Sequence, residues 1–242
     1  TRKESSAASD VYKRQIYDRN LNTIVKNKPM NAITYTRTSS TSQEDRLKIA
    51  KKLAEMIEID TDKITERDKK DYWILTRPKK AEKLITDQDR KKVKDGKLKE
   101  DDLYQLQLDR ITEDKLNELT DQDLKVLAIK RQMDSGYALT PQYIKNKDVS
   151  AKEMAVVSEH LDELPGVDVT SDWKRDYPYN GLLRTMIGSI SDSNEGLPKS
   201  LLDHYLSLGY NRNDRVGKSY LEAEYENVLQ GPVSYTHLRA HE

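Results

Sequence analysis

Ser171 and Lys174 stand three positions apart in SDWK. With that spacing an amine can face a serine hydroxyl and ready it for acyl transfer, provided both lie on the first turn of a helix. Here the stretch VDVTSDW (167–173) alternates like a strand, and the companion motifs Ser-Asp-Asn and Lys-Thr-Gly are absent, so Ser171 is not expected to be a nucleophile. Asp87–Gly96 (DQDRKKVKDG) has the carboxylate rhythm of a calcium loop. It carries lysines at the fifth and sixth positions, where such a loop needs an acidic residue and a glycine. Val216–Ser219 (VGKS) ends like a phosphate-binding loop, but the required first glycine falls on Arg212. His160 and His204 are isolated in sequence and read as surface or packing residues. His237 and His241 have the i, i+4 spacing of metal ligands, but both lie in the last ten residues of the chain. No nucleophile–base–orienter set remains, and the expectation is no catalytic residue, no metal site and no cofactor.

The two ends carry a separate signal. Asp10–Gln15 (DVYKRQ) can be written in codons whose reverse complement, in a shifted frame, encodes Val233–His237 (VSYTH). One DNA element in opposite orientations accounts for both, and it resembles a transposon-type sequencing adapter. Residues 1–15 and 232–242 are therefore expected to be adapter translation, to be set aside before fold reasoning. The His237–His241 pair falls with them. The native frame is then 16–231, expected to be a fragment of a longer protein.

The chain carries 42 basic and 42 acidic residues, and residues 16–231 have a net charge of −2. A near-neutral, mixed-sign surface lacks the electrostatic footprint of a nucleic-acid binder or of a polybasic membrane patch. With no Cys, disulfides and thiolate metal sites are excluded. Apolar residues are sparse, so thin cores of Leu and Ile are expected. No apolar run approaches the roughly 20 residues that span a bilayer.

Residues 16–38 are rich in Ile, Val, Thr and Tyr and predict two or three short strands, with turns near Asn20 and Pro29. The period then changes: Leu47, Ala50, Leu53, Ala54 and Ile57 share a helical face, with Thr41 and Glu44 at capping-box spacing. From 61 to 136 the pattern is helical, charged and finely divided. Helices could start at Thr61, Thr112 and Thr120, with apolar stripes from Leu103, Leu106, Leu116, Leu124, Leu127 and Met133, and breaks at Pro78 and Asp95-Gly96. Its charge reads as a solvated helical surface. Strand signal returns at 137–146. A helix capped by Ser150 and Glu153 should run to Leu164, stopped by Pro165-Gly166, with a strand following from Val167. Two closing helices flank the loop YNRNDRVG (210–217). The order predicts an α+β fold: a small mixed or antiparallel sheet pedestal, strands at 16–40, a charged helical insertion (head) at 41–136, and pedestal strands and closing helices at 137–231.

Three segments together resemble class B penicillin-binding proteins. IYDRNLNTIV matches the family's strand-turn entry at Ile16, Asp18, Arg19 and Asn20, with Leu21 where the family has Gly. WKRDYPYNGLLRTMIGSIS matches an Arg-x-Tyr-Pro segment, followed by an apolar strand and Gly, at Arg175, Tyr177, Pro178 and Gly188. DRVGKSYLEAEYENVLQG matches the segment closing the N-terminal module at Gly217, Ser219, Leu221, Glu222, Leu229 and Gly231, with Tyr220 where most members have Gly. The helical middle looks most like the penicillin-binding protein 2b branch of low-GC Gram-positive cocci.

The resemblance implies a parent enzyme that is membrane-anchored on the extracytoplasmic face of a Gram-positive cell and cross-links peptidoglycan through a serine acyl-enzyme. The anchor would lie upstream of Ile16 and the transpeptidase domain downstream of Gly231, leaving the non-catalytic pedestal, or dimerisation, module here. Its implied partners are its own C-terminal transpeptidase domain, a SEDS-type glycosyltransferase, other cell-wall synthesis proteins and a second copy as a homodimer. Structural or interface residues are expected at Asp18, Arg19, Arg175, Tyr177, Pro178, Gly217 and Glu222, with Arg175 and Glu222 approaching each other beside the Asp18–Arg19 turn. The alternative is an unrelated helical adaptor, which should show a self-contained bundle whose ends are free of a sheet.

Overall fold

The computed structural model describes residues 15–38, 40–181, 183–192 and 195–229. The segments read as adapter, apart from Gln15, lie outside the described residues, as do His237, His241 and Gly231. The chain divides into two units: 1–36 with 137–159 and 166–242, and 37–136 with 160–165.

The first unit is built on strand β2 (Thr23–Thr36), which is 14 residues long. Strand β1 (Ile16–Tyr17) pairs with its start, antiparallel, through Ile16–Val25 and Tyr17–Thr23. Strand β4 (Val167–Asp176) runs antiparallel along β2 from Lys26–Asp176 to Tyr35–Val167. Strand β3 (Pro141–Lys145) takes the opposite edge, antiparallel, over Ile33–Thr36. The expected turn at Pro29 does not form. Pro29 sits where β2 has a strand on one side only, opposite Trp173, so its missing N–H leaves no gap in the ladder. Val25 and Asn27 alternate with exposed residues, whereas Ala32, Ile33, Thr34 and Tyr35 are all buried. The buried run coincides with the doubly flanked part of β2, against which helix α8 (Ala151–Glu159) also packs.

GLLRTMIGSIS does not form the expected strand. Arg184–Ile187 make one turn of helix, α9, between Leu183 (φ 61°) and Gly188 (φ 92°), and only Ile190 makes a bridge, to Gly217. A single helical turn satisfies these amides locally where no third edge strand is available. The closing helices are short: α10 (Leu202–Ser207), α11 (Tyr220–Glu224) and α12 (Glu226–Leu229). Leu197, Tyr205, Tyr210 and Val216 form a small core beneath the connecting loop.

The second unit is helical: α1 (Gln43–Met56), α2 (Glu66–Thr76), α3 (Pro78–Glu82), α4 (Asp87–Lys94), α5 (Glu100–Asp109), α6 (Glu113–Leu116) and α7 (Asp121–Asp134). α1 packs on α7, burying Ile49, Ala50, Leu53 and Ala54 on one helix and Val126, Leu127, Ile129 and Met133 on the other. A second cluster gathers Trp73, Ala81 and Ile111. One device starts four of these helices. Ser42 with Asp45, Thr65 with Asp68, Thr86 with Asp89, and Thr120 with Asp123 each make a reciprocal capping box, each hydroxyl cap being worth about 1 kcal/mol. The caps expected at Thr41 and Thr61 therefore move to Ser42 and Thr65, because the shorter Asp three residues on closes the box. The helix from Ser150 ends at Glu159 rather than Leu164. Residues 160–165 belong to the helical unit, where Leu164 is fully buried and Glu163 meets Lys52 at 2.8 Å.

Candidate functional site

β4 delivers Asp172, Trp173 and Arg175 to a polar junction with the closing segment. Pairing with β2 puts Arg175 opposite Asn27, and Arg175 Nη1 donates to Asn27 Oδ1 at 2.9 Å. Arg175 Nη2 donates to Glu222 Oε1 on α11; the two side chains are 6% and 0% exposed. An ion pair this deep is held by geometry and added hydrogen bonds, since the desolvation of both charges opposes it. Asp172 accepts two hydrogen bonds from Arg215 Nη2, at 2.7 and 2.6 Å, and one from Asn146 Nδ2 at 3.0 Å. Arg215 also donates to the Trp173 carbonyl. The indole of Trp173 lies beside both guanidiniums, 4.5 Å from that of Arg215 and 6.0 Å from that of Arg175. A third buried carboxylate, Glu226 on α12, accepts from Tyr210 Oη at 3.0 Å and from the Gly217 amide at 2.6 Å.

Gly217 is dictated by close approach. A Cβ there would stand 1.9 Å from the Glu222 carbonyl oxygen. Around it Lys218 N donates to Ser189 O at 2.7 Å, Ser191 N to Val216 O at 2.8 Å and Ser189 N to Ser219 Oγ at 3.1 Å. These bonds sew the segment after α9 to the segment before α11.

The remaining residues singled out from sequence take other places. Asp18 commits its carboxylate to its own turn: Oδ1 accepts from the amides of Asn20 and Asn22, and Oδ2 from Asn22 Nδ2, all at 2.8 Å. These bonds hold the Asp18 carboxyl below its ordinary value, the Asn22 side chain contributing most. Arg19 is exposed beside it. Tyr177 is half-buried with the Arg184 guanidinium 5.4 Å from its ring, and Pro178 is exposed. The structure thus joins Arg175, Glu222 and Gly217 at one junction, and places Asp18 and Arg19 in the β1–β2 turn. Sequence reasoning missed Asp172, Arg215, Glu226 and Tyr210. The available signal was the run of Asp, Trp and Arg on one strand, with a second Arg just ahead of Gly217.

Ser171 and Lys174 lie on β4, where positions three apart point to opposite faces; they pair with Asn31 and Lys28 and are both exposed. Asp87–Lys94, read against a calcium loop, is helix α4. Gly217 of VGKS already gives its amide to Glu226, and Lys218 meets Glu195 at 3.1 Å. His204 stacks edge-on against Tyr205 at 5.3 Å. No helix among the described residues is long and apolar enough to cross a membrane. One corner of the unit is apolar and open: α9 packs on α11 and α11 on α12, leaving Met186, Tyr220, Tyr225 and Val228 between 53% and 72% exposed.

A profile of the Penicillin-binding Protein dimerisation domain matches residues 13–241, a span that enters both segments read as adapter. The chain is 73% identical over 228 residues to Penicillin-binding protein 2A of Bacillus subtilis (strain 168), which covers 94% of this chain and 32% of that protein. It is 32% identical over 108 residues to the Peptidoglycan D,D-transpeptidase MrdA of Salmonella typhimurium (strain SL1344), covering 44% of this chain and 17% of that one. Among solved structures it superposes on penicillin-binding protein 2B from Streptococcus pneumoniae (strain 5204) with a TM-score of 0.65 at 27% identity, covering 90% of this chain and 34% of that chain. The chain spans about a third of the length of the Bacillus and Streptococcus relatives. The 73% identity to a Bacillus protein far exceeds the 27% to the coccal one, whose branch the helical middle resembles.

Proposed function

Since the chain belongs to the family of the Penicillin-binding Protein dimerisation domain, whose members act in peptidoglycan synthesis, we propose that it is the non-catalytic N-terminal pedestal of a membrane-anchored peptidoglycan D,D-transpeptidase. In that role it positions a C-terminal catalytic domain and offers surfaces to cell-wall synthesis partners, among them a SEDS-type glycosyltransferase and a second copy of itself. The parent acts as a serine-type transpeptidase on the extracytoplasmic face of a Gram-positive membrane.

One observation carries the reading: the early strand β2 and the late strand β4 are paired over ten positions, and the Arg175–Glu222 pair fixes the closing helix to that ladder. A platform whose first and last segments meet is suited to passing a fixed orientation from an anchor on its N-terminal side to a domain on its C-terminal side. The helical-adaptor alternative required ends free of a sheet. Met186, Tyr220, Tyr225 and Val228, at the corner where the described chain ends, supply exposed apolar surface for a C-terminal domain.

Fluorescent penicillin separates the roles. The 242-residue chain should take no label, while the same gene extended through its downstream coding region should form a labelled band resistant to denaturation. Labelling of the short chain overturns the pedestal role, and an unlabelled extended protein overturns the transpeptidase parent. Fractionation of the extended protein tests the membrane assignment, and co-purification with the SEDS protein from the same cells tests that partner.

A further inference from the structure

β4 leaves the sheet through the turn Tyr177–Gly181, which holds the chain's one Asn-Gly pair: of eleven asparagines, Asn180 alone is followed by glycine. The backbone asks for this dipeptide. Asn180 has φ 50° and Gly181 φ 79°, and Asn and Gly are the residues that enter the left-handed region at least cost. Asn180 is exposed, as are Pro178 and Tyr179 before it. Among the described residues, neither the Asn180 side chain nor the Gly181 amide makes a hydrogen bond, while the Gly181 carbonyl accepts from Arg184 N at 3.0 Å. The segment is fastened on either side. Arg175 is bound to Asn27 and Glu222 before it, and Ser189 N donates to Ser219 Oγ after it.

Other positions with related chemistry are tied down. Asp95 also precedes a glycine, but Gly96 N donates to Val93 O at 3.0 Å at the end of α4. The remaining asparagines precede residues that carry a side chain. Several also commit their own side-chain amide: Asn22 to Asp18, Asn27 to Arg175 and Asn146 to Asp172.

We propose that Asn180–Gly181 is a site of spontaneous covalent modification, where the turn converts itself to an aspartyl or isoaspartyl linkage. The deprotonated Gly181 nitrogen attacks Asn180 Cγ. The new N–Cγ bond closes a cyclic imide, the Cγ–Nδ2 bond breaks, and Nδ2 leaves as ammonia with the proton that the amide gave up. Water then opens the imide at either carbonyl. One product is ordinary aspartate; in the other the main chain runs through the side-chain carbon. The sum is amide plus water to acid plus ammonia, with no oxidant or reductant. Glycine permits the approach because its Cα carries no Cβ to crowd the nitrogen, and exposure of the turn admits the water. The product places a negative charge four positions before Arg184, whose guanidinium lies 5.4 Å from the Tyr177 ring. The isoaspartyl form also lengthens the main chain between β4 and α9, the helical turn that presents Met186 at 61% exposure. The open apolar corner therefore changes with the age of the chain. This inference is independent of the transpeptidase reading, since it concerns only the chemistry of the turn.

The test incubates the 242-residue chain at neutral pH and body temperature, folded or unfolded in guanidinium. Peptide mapping by mass spectrometry, released ammonia and labelling by an isoaspartyl methyltransferase follow the reaction. In the folded chain Asn180 should convert before any other asparagine, at no less than about a tenth of its rate in the unfolded chain. Conversion should speed up as pH rises, because the nucleophile is the amide anion. Gly181→Ala should slow it by about tenfold or more, since the added methyl crowds the attacking nitrogen. Asn180→Gln, which leaves the glycine in place, should lose the isoaspartyl label from this peptide. Circular dichroism confirms that both variants fold, and the second serves if the first does not. An Asn180 that keeps its amide in the folded chain after the unfolded chain has converted, another asparagine converting first, or an isoaspartyl label unchanged by Asn180→Gln overturns the proposal.

Discussion

Leu21 and Tyr220 are the two positions at which this chain departs from the glycines of the family pattern, and both have backbone angles that favour glycine. Leu21 has φ 62° and Tyr220 φ 49°. A non-glycine residue held in this left-handed region is destabilised by about 1–2 kcal/mol. Glycine relieves that strain and loses about 0.5–1 kcal/mol through the greater freedom of its unfolded state. The side chains return little, because Leu21 is 79% and Tyr220 70% exposed. Leu21→Gly and Tyr220→Gly should therefore each stabilise the sheet-containing unit by about 0.5–1 kcal/mol. Treated as independent sites, the two effects should sum in the double variant, raising the thermal midpoint by roughly 2–6 °C. Scanning calorimetry of the wild type, both single variants and the double variant measures this. Tyr225→Gly is the control: Tyr225 is also exposed but has φ −99°, so the change should destabilise by about 0.5–1 kcal/mol. If either glycine variant at positive φ destabilises as much as the control, backbone strain at these turns is refuted.

Three further outcomes are expected from the junction and the caps. Glu222→Ala should lower the free energy of unfolding by about 3–5 kcal/mol, because it leaves Arg175 buried without its carboxylate; Arg175→Met/Glu222→Leu should be less damaging in the same urea titration. Gly217→Ala should cost about 3 kcal/mol or more, since its methyl group would meet the Glu222 carbonyl and the backbone must move. Hydrogen bonds from Arg110, then from Thr86, hold the Asp89 carboxyl well below the ordinary carboxylate range. A depressed value stabilises the fold above the unfolded value of about 3.9 and loses that contribution as pH falls below it. Acid titration of the helical unit's far-ultraviolet signal should therefore drop from about pH 4 downward, and Asp89→Asn should flatten the drop.

The α+β class, the strand character of 23–36 and 167–173 and the face of α1 were legible because period and residue type agree there. Ala50, Leu53, Ala54 and Ile57 are all buried as the helical spacing requires. Pro29 misled because a proline punctuates a strand only when both edges are paired, and edge occupancy is a tertiary property. The caps shifted by one to four residues because Thr41, Ser42, Thr61 and Thr65 all offer a hydroxyl, and only the partner acid decides among them. The approach of Arg175 to Glu222 came from ordered family motifs, 47 positions apart, not from local pattern. Asp172, Arg215 and Glu226 escaped notice because charged residues in a chain that is 35% charged read as solvated surface. Burial is set by the long-range pairing of β2 with β4, which no window of sequence contains.

That pairing also fixes an order of events during synthesis. When Tyr35 leaves the ribosome its partner Val167 is still about 130 residues away, which is roughly 6–26 s at ordinary elongation rates. Beyond its short pairing with β1, β2 has both edges bare until β3 emerges, and the edge that takes β4 stays open until Val167, a state prone to join a neighbouring chain. The intervening helices need only near-sequence contacts and can close meanwhile. The nascent chain is thus most vulnerable while its helical part is already formed, and slowing translation between Thr36 and Val167 should increase aggregation without altering the finished protein.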